Sequence, residues 1–322
     1  MTLDLEFVAI GARTPVGLTA QTSTAAIRAG VSRLREFSFI AANGKPVVLG
    51  TDPLLDDRIE GRDRMRVMLE SALDQALAKI GPHLAQARTS CDVLLALPET
   101  RPGFSDPEAQ WMCQVAQVRL HQHGIACNAL LAGRGHAGAL AAVEQATRRA
   151  EQRRQAGEDA VFVIAGADSY HDARTLLWLE SEQRLAMPTV RNGFTPGEAA
   201  GALVLTTKAI RRSLGLPCLA SLDGVGLARE ALLRDSDTGS FGQGLSHAVS
   251  QAAHALSTPT WGRRRRPRPM RRRWNPRSRA RNSSPATSAC WAWCIVSAEM
   301  PRPRRARRCS GRATSPRPRL DT

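Results

Sequence analysis

The chain has 322 residues, 43% hydrophobic and only 4% aromatic, a balance that suits one large or two ordinary globular domains with a core built mainly from Ala, Leu and Val. The net charge of +16 suggests nucleic acid, but residues 261–322 hold 19 of the 45 Lys and Arg against only Glu299 and Asp321, a net +17, and the first 260 residues come to −1. The basicity therefore belongs to one segment, and charge excludes nothing and implies nothing for the rest of the chain.

In chain order, residues 5–10 form a short apolar run ending at Gly11 and read as a strand. Residues 22–29 read as a short helix capped by Ser23 or Thr24. Residues 64–80 place Met65, Val67, Met68, Ala72, Leu73, Leu77 and Ile80 near helical spacing, an amphipathic helix. Strands follow at 92–97 and 124–130, separated by a helix over 107–121 with Trp111, Val115 and Val118 on one side. A long helix spans 135–155, small and apolar at its start and charged at its end. Buried strands are expected at 159–165 and 202–206, then a strand at 218–225 and a helix at 244–256. Short apolar strands alternating with helices imply an α/β fold, a mainly parallel sheet with helices on both faces.

From Trp261 the chain changes character. The segment holds 8 of the 19 prolines, four of the six tryptophans and no lysine, with no period of 2 or 3.6, so no packed structure is expected there. Two readings compete. Arg263–Arg266 and Arg271–Arg273 could contact phosphate, with the interleaved Trp stacking on bases. Alternatively the composition is that of a GC-rich gene read out of frame, and the segment is a frameshifted product.

No apolar run reaches the roughly 18 residues of a membrane span, so no membrane association is expected. The acidic start, with Asp4 and Glu6, does not suit a secretory or transit peptide. The cysteines, at 91, 113, 127, 218, 290, 294 and 309, are scattered, odd in number and without a Cys-x-x-Cys pair. They read as free thiols of a cytoplasmic protein rather than a disulfide framework, and Cys290 and Cys294 lack the second ligand pair of a metal site. No metal or cofactor is implied.

Several segments in order resemble the β-ketoacyl synthase (3-oxoacyl-ACP synthase) family of the thiolase-like superfamily. Residues 7–17, Phe-Val-Ala-Ile-Gly-Ala-Arg-Thr-Pro-Val-Gly, resemble its opening strand and Thr/Ser-Pro-x-Gly turn, and Ala26 to Ser32 resemble the next helix end. Val163 to Ser169 resemble its strand and Gly-Gly-Ala-Glu/Asp segment. The most specific stretch runs from Arg191 to Leu205, where Arg-Asn-Gly-Phe-Thr-Pro-Gly-Glu-Ala-Ala-Gly-Ala-Leu-Val-Leu stands against the family's Arg-Asp-Gly-Phe-x-x-Gly-Glu-Gly-Ala-Gly-x-Leu-Val-Leu. Read for themselves, Gly193 and Gly197 suit positive φ in a tight loop, and Gly201 suits close backbone packing. Glu198 enters an apolar strand and needs a partner or a backbone donor. The resemblance spans about residues 1–256 and implies a thiolase-like fold with residues 1–215 as its N-terminal half and 216–258 as the start of a truncated C-terminal half. Residues 259–322 would be the Arg/Pro-rich tail.

Enzymes of this family carry an acyl group on a cysteine at a strand-to-helix elbow, assisted by two histidines from the second half. Aligning His136 with the family's Cys-Ala-x-Ser-Ala-His pattern puts Leu131 where the cysteine belongs, and a leucine is no nucleophile. Cys127 lies four residues upstream inside the strand and reads as a core thiol. His136 reads as a structural helix residue. His247 and His254, seven apart on the last helix, lack the family's His-x-Thr-Gly-Thr context. The Gly-Phe-Gly-Gly loop is absent, the nearest stretch being Gly239-Ser240-Phe241-Gly242-Gln243-Gly244. No catalytic residue is therefore assigned. The expected role is that of a catalytically inactive partner or adaptor, comparable to a chain-length-factor subunit, for an acyl carrier protein, a homologous subunit or a second copy of itself. The alternatives are an acyltransferase using unfamiliar groups such as Cys127 or water, and nucleic-acid binding if the tail is genuine.

Overall fold

The computed structural model describes residues 4–190, 193–231 and 242–254, together with the backbone of a strand over 290–297. The chain begins with β1 (Leu5–Arg13) and α1 (Ala20–Arg28), followed by a hairpin of β2 (Arg35–Ile40) and β3 (Pro46–Leu49). Next come α2 (Gly61–Leu77), α3 (Gly81–Gln86), β4 (Cys91–Leu97), α4 (Asp106–Gln122), β5 (Cys127–Arg134) and α5 (Gly138–Gln155). β6 (Val161–Ser169), α6 (Ala173–Ser181), β7 (Glu198–Thr207) and α7 (Lys208–Ser213) lead to β8 (Ala220–Arg229), α8 (Gln243–His254) and β9 (Cys290–Ser297).

One seven-stranded sheet has the order β5-β4-β6-β7-β1-β8-β9. β5 and β6 flank β4 in parallel, whereas β7, β1, β8 and β9 each pair antiparallel with the strand before them in that order. β7 and β8 therefore oppose the other five strands. The sheet is mainly parallel in direction, as expected, but the ladder is antiparallel beyond β6.

Helix α2 forms because apolar residues recur at one- and three-residue steps. Met65, Met68, Leu69, Ala72, Leu73, Ala76 and Leu77 are all buried. With α3 and α4 it covers one face of the sheet, against Val8, Val93, Leu95, Val163, Ala165 and Val204. Helix α5 covers the other face through Ala142, Val143 and Ala146, against Leu94, Phe162 and Ile164. A third cluster joins the β2–β3 hairpin to α6 through Phe37, Leu49, Leu176 and Leu179. Sequence alternation missed this hairpin because only its inward residues are buried and they are few.

Some local expectations are corrected. Helix α1 starts earlier than read, because Thr19 and Thr22 form a reciprocal capping box that Ser23 and Thr24 do not. Neither Gly193 nor Gly197 has positive φ. A side chain at Gly193 would stand 2.4 Å from the Leu185 carbonyl oxygen, so contact, not backbone torsion, requires glycine there. Within the tail, where no packed element was expected, the eight residues of β9 form a strand beside β8. They contain no Arg or Pro and bring Trp291, Trp293, Ile295 and Val296, all strand-forming types. The other tail residues, and Gly239 to Phe241 of the Phe-Gly stretch, lie outside the described residues.

Candidate functional site

In sheets with parallel strands, ligands bind outside the carboxyl ends of those strands. Here that edge is formed by β5, β4 and β6, and it is where the elbow aligned from the sequence falls. The strand runs further than read. β5 continues through Arg134, and α5 begins only at Gly138. Leu131 is therefore inside the strand, paired with Leu95, and not at a helix N-terminus. Ala96 pairs with Gly133, so Ala132 is the extra residue of a bulge. Such bulges re-aim the side chains around them.

β5 is an edge strand, and Leu131 is 36% exposed on it. His136, expected on the helix, sits exposed in the turn between β5 and α5. That turn is fixed by the Gly135 N–H donating to the Leu97 carbonyl at 2.9 Å. Gly135 has φ of 66°, a conformation that suits glycine. Cys127 occupies the first rung of β5, at the far end of the strand from the turn. His247 and His254 are both exposed on α8.

The carboxyl edge carries charge that its own partners hold in place. The Arg134 guanidinium donates to the Pro98 carbonyl at 3.0 Å and to Asp106 at 2.5 Å. Arg101 donates to Asp168 at 2.6 Å and to the Ser169 carbonyl at 2.8 Å, and stacks 4.1 Å over the Tyr170 ring. Burial, with help from the Asp168 charge, raises the Tyr170 phenol above its ordinary pKa. This edge offers hydrogen-bond donors and cation–π surface. From Leu131 to Gly138 it offers no thiol or hydroxyl for covalent chemistry.

Behind the edge lies a buried polar cluster. Glu198, at the start of β7, receives two hydrogen bonds from Arg64, one from the Asp52 N–H at 2.6 Å and one from the Ser169 hydroxyl at 2.7 Å. The need for a partner at Glu198 is thus met fourfold. Arg64 was missed as part of this cluster. Its signal is that it stands four residues before Met68, on the buried stripe of α2. Ser169 also accepts from the His171 N–H, and the His171 Nε2 hydrogen-bonds the Asp57 carbonyl at 2.9 Å. Burial lowers the His171 pKa below its ordinary value.

An open cleft of about 500 Å³ lies where α2, α4 and α6 begin, lined by Gly61, Arg62, Gly103, Glu108, Asp172 and Arg174 among others. It shares no residue with the β5–α5 turn. Among the described residues, no helix is long and apolar enough to cross a membrane.

The order and direction of the strands, with helices on both faces, define a ketosynthase-type, thiolase-like fold. Three solved structures share it. One is a type II polyketide synthase acyl-carrier protein in complex with its ketosynthase bound to the hexaketide, at a TM-score of 0.62 and 14% identity over 80% of this chain and 71% of that one. Another is the ishigamide ketosynthase/chain length factor, at 0.55 and 16% over 79% of this chain and 70% of that one. The third is the ketosynthase from module 6 of the bacillaene synthase of Bacillus subtilis 168, at 0.51 and 15% over 70% of this chain. This chain spans 44% of that last ketosynthase's length. At these identities the likeness is one of fold. No protein-family model and no curated protein matches the chain.

Proposed function

We propose that this chain is a non-condensing subunit of a ketosynthase-type assembly, a scaffold that engages an acyl carrier protein or a homologous subunit without carrying the acyl group itself. The observation that supports this most is Leu131. It stands at the position aligned with the family's nucleophile, and the strand end and turn that follow it bring only Arg134 and His136 as reactive types. The shared fold supports a carrier-protein or ketosynthase partner, since one structural neighbour is a carrier-protein complex and another a ketosynthase/chain length factor. β5, a sheet edge with Leu131 exposed, is the surface through which a homologous subunit or a second copy would pair.

The test is incubation of the full-length protein with an acyl-thioester under conditions that load an active ketosynthase, followed by intact mass measurement. No mass gain is expected, together with retention of the protein on an immobilised acyl carrier protein. An acyl adduct would overturn the reading and favour an acyltransferase with an unfamiliar nucleophile such as Cys127.

The tail supports a second reading, because its net +17 is the electrostatic footprint of a nucleic-acid-binding arm. Its Arg, Pro, Ala, Ser and Trp bias supports instead a segment read out of frame. Translating the gene in all frames downstream of codon 255 separates the two. A second frame with alternating apolar strands and helices would remove the tail from consideration. With no such frame, nucleic-acid affinity that falls steeply with salt and vanishes when 261–322 is deleted would establish the arm.

A further inference from the structure

Cys91 and Cys127 open β4 and β5, and they are direct register partners across that parallel pair. Nothing in their 36-residue separation signals this. Strands adjacent in a sheet run about 4.7–4.9 Å apart, which lies inside the roughly 4.4–6.8 Å Cα separation that a disulfide spans. Register partners also project to the same face of a sheet, and both cysteines pack on the layer formed by α2, α3 and α4. Each thiol shifts the titration of the other. Cys127 further donates to the Gln117 carbonyl at 3.7 Å.

The two differ in access. Cys91 is 3% exposed. Cys127 is half-buried on the edge strand, where a small reagent can reach it. The neighbouring Cys91 thiol lowers the pKa of Cys127 and so favours a thiolate there, while Cys127 and burial raise that of Cys91. A third thiol on the same layer, Cys113 on α4, is held protonated by burial.

We propose that Cys91 and Cys127 form a redox pair that closes to a disulfide across the first rung of the β4–β5 ladder when a small-molecule disulfide oxidises it. The Cys127 thiolate attacks one sulfur of the oxidant, forming a mixed disulfide and releasing one small thiolate. Cys91, giving up its proton, then attacks the Cys127 sulfur and displaces the second small thiol. Two protein thiols become one cystine, and the oxidant is reduced to two thiols. The bond would fasten the edge strand to its neighbour at the end opposite the β5–α5 turn. This inference does not depend on the function proposed above.

The experiment uses the reduced full-length protein and glutathione disulfide, with non-reducing peptide mapping and intact mass as readouts. The expected result is a peptide pair cross-linked through Cys91 and Cys127, reversed by dithiothreitol, with the intact protein lighter by two hydrogens. Cys91→Ala should stop at a lasting glutathione adduct on Cys127, and Cys127→Ala should leave Cys91 unmodified. A lasting adduct on Cys127 of the unmutated protein would overturn the proposal. So would a cross-link that uses Cys113 in place of either partner, or two thiols that stay free. Mapping of the unmutated protein decides the matter even if a variant fails to fold.

Discussion

Arg64 and Glu198 lie 134 residues apart and meet as a bidentate pair, 2.6 and 2.8 Å long, with neither side chain exposed to solvent. The pair joins the first turn of α2 to the first residue of β7 and passes under the loop containing Asp52, Asp56 and Ile59, whose carbonyls take the remaining guanidinium donors. A buried pair of this kind is saturated with hydrogen bonds. Removing one partner strands the other charge without water, which typically costs about 3–5 kcal/mol. Arg64→Met and Glu198→Leu should each lower unfolding stability by roughly that amount. The double variant should lose less than the sum, since no charge is then left alone. Urea unfolding of all four proteins measures the coupling. Strict additivity would show that the pair does not act as a unit.

The contrast between this cluster and the sheet shows what the sequence could reveal. Strands such as β4 and β6 are nearly continuous apolar runs because helices cover both their faces, so they were legible. Glu198 was legible as a buried acid because a carboxylate opening an apolar strand is anomalous. Its partners were not, because Arg64, Asp52 and Ser169 come together only through tertiary packing. The β5–α5 turn failed for a different reason. Leu131 to Gly135 contains no charged residue before Arg134, so apolar pattern could not tell four more residues of strand from an elbow leading into a helix. The Cys91–Cys127 pairing depends on register across β4–β5, which a single chain does not encode locally.

His171 gives a pH dependence whose sign is fixed. It is 1% exposed, packs edge-on to Phe37 at 4.4 Å, and its Nδ1 has no hydrogen-bond partner. Arg64, Glu198 and Asp57 are the charged groups that face it, and burial is the main cause of its lowered pKa, with Arg64 acting in the same direction. The unfolded chain therefore takes up a proton near the ordinary histidine value of about 6.5, while the folded protein resists it. Stability is full above that value and is lost as pH falls toward the folded pKa, with a slope approaching about 1.4 kcal/mol per pH unit inside the window. His171→Gln keeps a donor for the Asp57 carbonyl and removes the titration. Its unfolding free energy should vary less with pH below 6.5 than that of the unmutated protein. Identical pH profiles would refute the assignment.

Placing a cysteine at the aligned position should not by itself produce an activated nucleophile. Leu131 lies in β5 with three further strand residues after it, and α5 starts only at Gly138. Helix-dipole stabilisation of a thiolate fades within the first turn. Leu131→Cys should therefore titrate near the ordinary thiol value of about 8.5. The pH dependence of its alkylation rate measures this, read against the unmutated protein so that Cys127 is subtracted. A midpoint depressed by 2 units or more, on the order of values seen at helix-capped cysteines, would show that the turn still supplies the electrostatics of an acyl-accepting site.

Two glycines in facing strands should respond in opposite ways to the same substitution. A Cβ on Gly11 of β1 would fall 2.0 Å from the Ala72 carbonyl oxygen and 2.9 Å from the Ala76 nitrogen, so α2 lies directly on the strand there. Both are backbone atoms of a helix packed into the core, and neither can swing aside as a side chain would. Gly11→Ala should lower stability by about 1–3 kcal/mol, the range for overpacking a well-filled interior. Gly201 of β7, expected from the sequence to be the close-packed glycine, has as its nearest neighbour the Gly11 carbonyl at 3.9 Å, an ordinary contact. Its φ is not positive. Gly201→Ala should therefore be neutral or stabilise by up to about 1 kcal/mol, because alanine restricts the unfolded chain. Urea unfolding distinguishes the pair. If Gly201→Ala destabilised as much as Gly11→Ala, the packing of α2 over β1 would not be what sets the requirement for glycine.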